Sequence, residues 1–164
     1  NCGYAVVTKS PDCGTDVAPR WRDWQYRRNP AKGMAMNPTM PHLLLVALGG
    51  GLGTALRYGV GRWAIAVLGP GFPFGTFAVN IIGGFLMGLL AGWLARMSSG
   101  AEELRLLLGV GVLGGFTTFS AFSLEIYNMI TRAEVALAAA YAVSSVAGSV
   151  LAVLAGVWLM RGMA

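Results

Sequence analysis

The chain contains 164 residues with a formal net charge of +5, and 55% of them are hydrophobic whereas only 12% are charged. Average globular domains carry about a quarter charged residues, and three stretches of this chain lack Asp, Glu, Lys and Arg altogether, at 63–95, 106–124 and 135–160. Because a bilayer span takes about 20 mostly apolar residues, the composition excludes a soluble domain and predicts an all-α integral membrane protein.

Residues 1–40 differ in composition from the rest of the chain. They hold six of the twelve basic residues and both cysteines, which alone indicate neither a disulfide nor a metal site. No apolar stretch typical of a signal peptide is present, so we expect a disordered leader, or an over-extended start ahead of Met40. The alternative is a basic arm that binds the membrane surface, with Trp21, Trp24 and Tyr26 as interfacial anchors.

Residues 41–164 are predicted to form one domain of four transmembrane helices with short connections. The predicted spans are Pro41–Leu68, Phe74–Ala95, Leu104–Ile130 and Val135–Met160. Proline and glycine together end one helix and start the next, and residues 69–73 read Gly-Pro-Gly-Phe-Pro. Since all connections are short, the spans form one compact antiparallel unit.

The third span contains a segment that does not suit a continuous membrane helix. Gly114-Gly115 is followed within eight positions by three phenylalanines and several hydroxyl residues. Irregular backbone at membrane depth survives only inside protein or along a wet cavity, and membrane transporters place ion sites at broken helices of this kind. We therefore predict that the third helix is broken in mid-membrane and that the break belongs to an ion path.

The few arginines of the four predicted spans are almost evenly divided between the two membrane sides. Arg96, Arg105 and Arg161 lie on the side of the chain ends, and Arg62 and Arg132 lie on the other. Lys/Arg asymmetry normally fixes orientation, so this balance favours insertion in both directions and pairing as an antiparallel homodimer. In the alternative, another signal decides orientation. The basic leader, where translated, argues against dual insertion.

Two rows of small residues are predicted to pack helices together. They repeat at four-residue spacing on the second and fourth spans, as Gly84, Gly88, Gly92 and Gly148, Ala152, Gly156. Such rows allow close approach of helices in lipid, so we assign them a structural role.

Three motifs on successive spans resemble the small bacterial fluoride-channel family called CrcB or Fluc. They are GLGTALRY at 51–58, GTFAVNIIG at 75–83 and GGFTTFSAF at 114–122. The resemblance covers about residues 40–164. It implies a dual-topology homodimer with two antiparallel pores, which exports fluoride across the bacterial inner membrane and so relieves fluoride toxicity.

The resemblance also implies a structural sodium ion at the dimer centre. The backbone carbonyls of Gly114 and Thr117 from each subunit would bind it. No carboxylate stands beside these residues, and divalent hard cations usually recruit carboxylates, so sodium is expected rather than calcium or magnesium. The alternative is that the glycine pair only permits close helix crossing.

Asn80, Phe119 and Phe122 are the predicted core of the anion path. Fluoride is tightly hydrated, and Asn80 offers two N–H donors to replace water. Phe119 and Phe122 lie three residues apart, which predicts one face of the resumed helix. In the family, such phenylalanines meet the anion with their electropositive ring edges. The alternatives are an interhelical hydrogen bond for Asn80 and ordinary packing for the two rings.

A polar stripe on the fourth span is predicted to extend the path. Tyr141, Ser145 and Ser149 recur every four residues, and by the resemblance they form a track that faces Thr76 and receives Ser120 from the broken span. In the alternative, the serines simply bond carbonyls of their own helix.

Arg57 and Glu125 are the charges predicted within the membrane, where charge is costly and usually functional. By the resemblance, Arg57 lies near the pore entry and attracts anions. A carboxylate repels anions, so Glu125 is expected to cap or pair, with Arg57 across the dimer as one partner. His42 is expected to be interfacial.

Other function classes fit the residues less well. No catalytic constellation is found, so an enzyme is not predicted, and neither is nucleic-acid binding. The main alternative is a small four-span proton-coupled multidrug exporter, which would need a carboxylate deep in its first span, where this chain has Arg57. A non-conducting structural subunit would leave Asn80 and the phenylalanine pair unexplained.

Overall fold

The computed structural model describes residues 40–97 and 100–162, and all regular structure in these ranges is helical. The predicted leader lies outside the described residues. The elements are α1 (Met40–Leu68), α2 (Phe74–Leu94), α3 (Ala101–Leu104), a π-helical segment (Arg105–Leu113), α4 (Gly114–Phe116), α5 (Ser120–Thr131) and α6 (Val135–Gly162).

Four stretches of the described chain are long and apolar enough to cross a membrane. They are Met40–Leu68, Phe74–Leu94, Ala101–Thr131 and Val135–Gly162. The prediction of four spans is confirmed, with differences of up to three residues at the ends. The helix of the fourth span, α6, runs past Met160 and includes Arg161 in its last turn. A positive charge there suits the partial negative charge of a helix C-terminus.

The predicted rows of small residues pack α2 against α6, which confirms their role in helix packing. A Cβ added to Gly88 would collide with the Val153 carbonyl, and one added to Gly84 would lie 2.9 Å from the Ser149 carbonyl. From the other side, a Cβ on Gly156 would lie 2.8 Å from the Leu89 nitrogen. The two backbones therefore touch along much of their length, as small residues allow in lipid.

A second glycine seam joins α1 to the π-helical segment and α4. Gly49 and Gly53 face the carbonyls of Leu107 and Val112, and Gly115 faces the backbone of Gly50. A π-helix has i→i+5 hydrogen bonds and is rare, occurring mostly as short bulges near functional sites. No pattern in the sequence predicted this π-helical segment.

The helical backbone of the third apolar stretch is interrupted between α4 and α5. The last residue of α4 is Phe116, Thr117 has extended φ and ψ of −81° and 159°, and α5 begins at Ser120. Phe119 therefore precedes the helix rather than lying on its face, which corrects the expectation that both phenylalanines belong to the resumed helix.

An aromatic cluster holds α5 and α6 together beside this interruption. Its buried members are Phe122, Met129, Ala138 and Tyr141, with Phe72 and Phe77 packed against them. The Tyr141 side chain is only 1% exposed. This cluster fixes the start of α5 relative to α6.

Candidate ion-conducting site

Asn80 of α2 holds the interruption through both backbone groups of one residue, Thr118. Its Oδ1 accepts a hydrogen bond from the Thr118 N–H at 2.8 Å, and its Nδ2 donates to the Thr118 carbonyl at 3.0 Å. A helix interruption leaves backbone groups without helical partners, and Asn80 provides partners for two of them. Because the amide carries two N–H donors, one remains for another acceptor.

Arg57 of α1 holds the other side of the interruption. Its Nε donates to the Gly115 carbonyl at 3.0 Å, and Arg57 is not among the residues that line the pocket described below. The Leu113 carbonyl, in turn, accepts from the Thr117 N–H at 3.0 Å and from its hydroxyl at 2.9 Å.

The carbonyls of Gly114, Phe116 and Thr117 accept no hydrogen bond from other described residues. Thr118, the usual helical partner of Gly114, donates its N–H to Asn80 instead, and the Ala121 N–H donates to the Thr118 hydroxyl at 3.3 Å. Uncommitted carbonyls, with no carboxylate beside them in the chain, fit a monovalent cation better than a divalent one. The carbonyls of Gly114 and Thr117 therefore suit the predicted sodium.

A pocket of about 370 Å³ lies on the α5 side of the interruption and opens to the outside of the subunit. Three of the membrane-long stretches contribute to it, and most of its surface is apolar. The lining residues are Asn80, Gly83, Gly84, Met87, Thr117, Thr118, Phe119, Phe122, Ser145, Val146, Ser149, Val150 and Val153. The pocket thus brings together six residues that the sequence analysis selected.

The two phenylalanines of this pocket differ in their surroundings. Their ring centroids are 5.7 Å apart with the planes tilted by 42°. The Phe122 ring is packed in the aromatic cluster and is 6% exposed, whereas Phe119 is 77% exposed. One ring is therefore a fixed wall, and the other stands at the pocket opening.

Ser145 lines the pocket and has a hydroxyl without a hydrogen-bond partner. The residue is 3% exposed and its Oγ is buried with no partner among the described residues. The neighbouring Ser144 instead donates to the Tyr141 carbonyl at 3.3 Å. The alternative that serines bond their own helix therefore describes Ser144, whereas the Ser145 hydroxyl makes no such bond.

Glu125 is bound by two hydroxyl groups rather than by a basic side chain. Thr76 donates to its Oε1 at 2.6 Å, and Tyr141 donates to its Oε2 at 2.7 Å. Within the described subunit, Arg57 is not its partner, because the Arg57 guanidinium contacts Gly115. Sequence reasoning left the role of Glu125 open, and no sequence signal indicates these tertiary contacts.

The remaining predicted residues lie outside the pocket lining. Thr76 and Tyr141 face Glu125 rather than the pocket, and Tyr141 lies one helical turn from Ser145. Ser120 is exposed, and its hydroxyl lies 3.3 Å from that of Thr118. The predicted track therefore divides into a serine part in the pocket and a Thr76–Glu125–Tyr141 cluster beside it.

Comparison with known proteins agrees with the motifs of the sequence. The family model described as "CrcB-like protein, Camphor Resistance (CrcB)" matches residues 44–157. A protein of Novosphingobium aromaticivorans named "Fluoride-specific ion channel FluC" is 58% identical over 121 residues, which is 73% of this chain and 95% of the relative. Proteins with that name from Phenylobacterium zucineum (58% over 123 residues, 74% of this chain and 97% of the relative) and Rhizobium leguminosarum bv. trifolii (50% over 125 residues, 76% and 100%) are also similar. This chain belongs to the CrcB-like family and is a multi-pass membrane protein.

Proposed function

We propose that this protein is a fluoride-selective ion channel and not an enzyme. The observation that carries the proposal is the pocket beside the interruption, where Asn80, the two phenylalanines and two serines of α6 meet. The names of the relatives support fluoride as the permeant ion. Family membership does not favour the proton-coupled exporter.

The chemistry of the pocket suits a small, strongly hydrated anion. Such an ion enters an apolar space only where hydrogen-bond donors replace its water. Ser145 and Ser149 supply hydroxyl donors, and Asn80 supplies its second N–H. The rings of Phe119 and Phe122 add electropositive edges. A small anion brings its charge closer to each donor than a large one does, so it gains more from these hydrogen bonds. The pocket contains no basic side chain that would attract all anions alike.

The Thr76–Glu125–Tyr141 cluster continues this route beyond Ser145. The carboxylate of Glu125 holds the donors of Thr76 and Tyr141, so the anion competes with Glu125 for these hydroxyls. Ser120, exposed at the start of α5, contributes a donor at the opening. The hydroxyls of Thr76, Tyr141 and Ser120 extend the path from the pocket toward the membrane surface.

We propose that two copies insert in opposite directions and form an antiparallel homodimer in lipid, with the interruption at membrane depth. The distribution of arginines supports this arrangement. Arg96, Arg105 and Arg161 lie at one end of the spans and Arg62 and Arg132 at the other. The Lys/Arg asymmetry that normally fixes orientation is therefore small, as dual insertion requires.

The carbonyls of Gly114 and Thr117 would hold a structural sodium ion between the two subunits. A bound cation supplies positive charge to carbonyls that have no other partner, which is a costly state in a membrane. Since it serves as a tie between helices, the ion is static and is not cotransported with fluoride.

The proposed location is the bacterial inner membrane. Hydrogen fluoride enters a cell as the neutral acid and ionises inside, and an inside-negative potential drives the trapped anion outward. A passive channel is therefore sufficient for export and for relief of fluoride toxicity.

Fluoride and chloride efflux from liposomes that contain the purified full chain tests this function. We expect rapid loss of fluoride and retention of chloride, with protein-free liposomes as the control. Equal rates for both anions, or no efflux of either, would contradict the proposal.

A further inference from the structure

We propose that Arg57 is a positioning residue that sets the carbonyls of the interruption for a cation, and that it does not bind the permeant anion. The inference rests on the proposed function, since it assigns Arg57 to the sodium site of that channel. The Arg57 Nε donates to the Gly115 carbonyl at 3.0 Å. Arg57 is not among the residues that line the pocket.

The face of α1 that carries Arg57 is the face that touches the interrupted helix. Gly49 and Gly53 pack against the carbonyls of Leu107 and Val112, and Arg57 follows at the same four-residue spacing, which places it on the same helix face. Gly53 also approaches the Phe116 nitrogen, at 2.8 Å from its added Cβ. Because this seam has no room for side chains, α1 is held at a fixed distance from the interrupted helix. Arg57 therefore contacts the C-terminal end of α4.

The backbone hydrogen bonds around the interruption show which carbonyl Arg57 holds in place. A helix that ends at Phe116 leaves its last four carbonyls without helical partners. Thr117 binds the carbonyl of Leu113, and Arg57 binds that of Gly115. The Gly114 carbonyl, which precedes the anchored one in the same rigid turn, remains available.

Asn80 performs the matching task on the other side of the interruption. It holds both the N–H and the carbonyl of Thr118, so the Thr117 carbonyl precedes an anchored residue as well. Among the available carbonyls, those of Gly114 and Thr117 are thus each set by one polar side chain from a neighbouring helix. Arg57 sets the first and Asn80 sets the second.

The charge of Arg57 suits this position. A helix C-terminus carries a partial negative charge, about half an elementary charge, and a charged donor makes a shorter and stronger hydrogen bond to a carbonyl than a neutral one. In the described part of the chain, ion pairs join Arg105 and Arg132 to acids, and Arg57 has a carbonyl instead. A planar guanidinium fixes the direction of its Nε donor, whereas the ammonium of lysine is a flexible point charge.

This role and anion attraction predict different outcomes for the substitution Arg57→Lys. Lysine keeps the positive charge, so an anion attractor would tolerate it. Lysine lacks the fixed direction of the Nε donor toward the Gly115 carbonyl. A positioning residue would therefore not tolerate the substitution.

The experiment compares Arg57→Lys and Arg57→Gln with wild type and with Arg62→Gln. Arg62 is the exposed arginine one turn further along α1 and controls for loss of charge. Full-chain protein in liposomes gives fluoride efflux at a series of sodium concentrations, with a bulky organic cation as replacement, and at a series of fluoride concentrations. The same proteins in detergent give the rise in melting temperature with added sodium, a readout that does not depend on transport.

We expect both Arg57 variants to need about tenfold more sodium for half-maximal efflux and for half-maximal stabilisation, since one charge-assisted hydrogen bond is lost. Efflux at saturating sodium and its dependence on fluoride should match wild type, as should every property of Arg62→Gln. Unchanged sodium dependence in Arg57→Lys, or a change confined to the fluoride dependence, would overturn the inference. So would a wild type that sodium does not stabilise.

Failure of the proposed function has a different signature. A wild type that passes no fluoride but melts at a higher temperature in sodium would refute the channel and leave the role of Arg57 measurable. If Arg57→Gln does not fold, Arg57→Lys alone decides the result.

Discussion

The two sides of the interruption in the third apolar stretch differ in the groups that they leave available. On the α4 side, Arg57 anchors one carbonyl and the Gly114 carbonyl stays uncommitted. On the α5 side, Ser145 and the phenylalanine rings line the pocket. The uncommitted Thr117 carbonyl lies between them. A single break in a helix therefore offers acceptors toward a cation and donors toward an anion, in the sense that the helix dipoles also favour.

Asn80 is the residue that both sides share, and its loss should have the largest effect. Asn80→Ala leaves the Thr118 N–H and carbonyl without partners, at about 1–3 kcal/mol for each buried group. We expect a marked fall in melting temperature in detergent together with loss of fluoride efflux. Asn128→Ala, at an exposed position of α5, is the control and should change neither. A fully stable Asn80→Ala protein would refute the role of this amide as a tie across the interruption.

Phe122→Ile removes the electropositive ring edge from the anion side but keeps an apolar side chain. Since the ring edge carries the positive part of the aromatic quadrupole, we expect efflux to fall by about tenfold, the change that about 1.4 kcal/mol in the barrier gives. The oligomer should be retained on gel filtration. Phe119→Ile should behave alike. The control is Phe74→Ile, because Phe74 does not line the pocket. Undiminished efflux in both pocket variants would return these rings to ordinary packing.

Ser145→Ala tests the donor role of the free hydroxyl, with Ser144→Ala as the matched control. One neutral hydrogen bond is worth about 0.5–1.5 kcal/mol, so we expect fluoride efflux to fall severalfold in Ser145→Ala only. The melting temperature should stay or rise, because the Ser145 Oγ has no partner to lose. A loss of stability without a loss of efflux would show that the hydroxyl is structural.

Ala133→Gly should give the smallest change and should act on neither side of the interruption. Ala133 has a φ of +62° in the turn between α5 and α6, a conformation that costs a residue with a Cβ about 1 kcal/mol. We expect a small rise in melting temperature and unchanged efflux. Ala136→Gly, inside α6 and exposed, should lower the melting temperature by a similar amount. A shift of the same sign in both variants would contradict the assignment of strain to Ala133.

The spans were predictable from the sequence because charge-free stretches of bilayer length have few other uses. The packing role of rows such as Gly84 and Gly88 was predictable too, since they have a direct steric meaning, whereas the pairing of α2 with α6 was not predicted. The π-helical segment at Arg105–Leu113 was not, because its leucines, valines and glycines fit an α-helix equally well.

Side-chain partners were harder to predict than side-chain positions. Ser144 and Ser145 are identical residues in adjacent positions, and only the packing of α6 decides which one reaches the pocket. The pairing of Glu125 with Thr76 and Tyr141 joins residues far apart in sequence, and charge alone suggested an arginine. Arg57 was selected for its charge, whereas its hydrogen-bond partner is a backbone carbonyl that no sequence pattern names.

The most direct test of the separation between the two sides is the effect of sodium on the Phe122→Ile protein. Its melting temperature is measured in detergent over a series of sodium concentrations, alongside wild type and Arg57→Lys, and its fluoride efflux is measured in liposomes. We expect Phe122→Ile to keep the wild-type sodium concentration for half-maximal stabilisation while its efflux falls by about tenfold. Arg57→Lys should need about tenfold more sodium for half-maximal stabilisation, while its efflux at saturating sodium matches wild type. Loss of both properties in Phe122→Ile would contradict the separation, because the two sides would then form a single site.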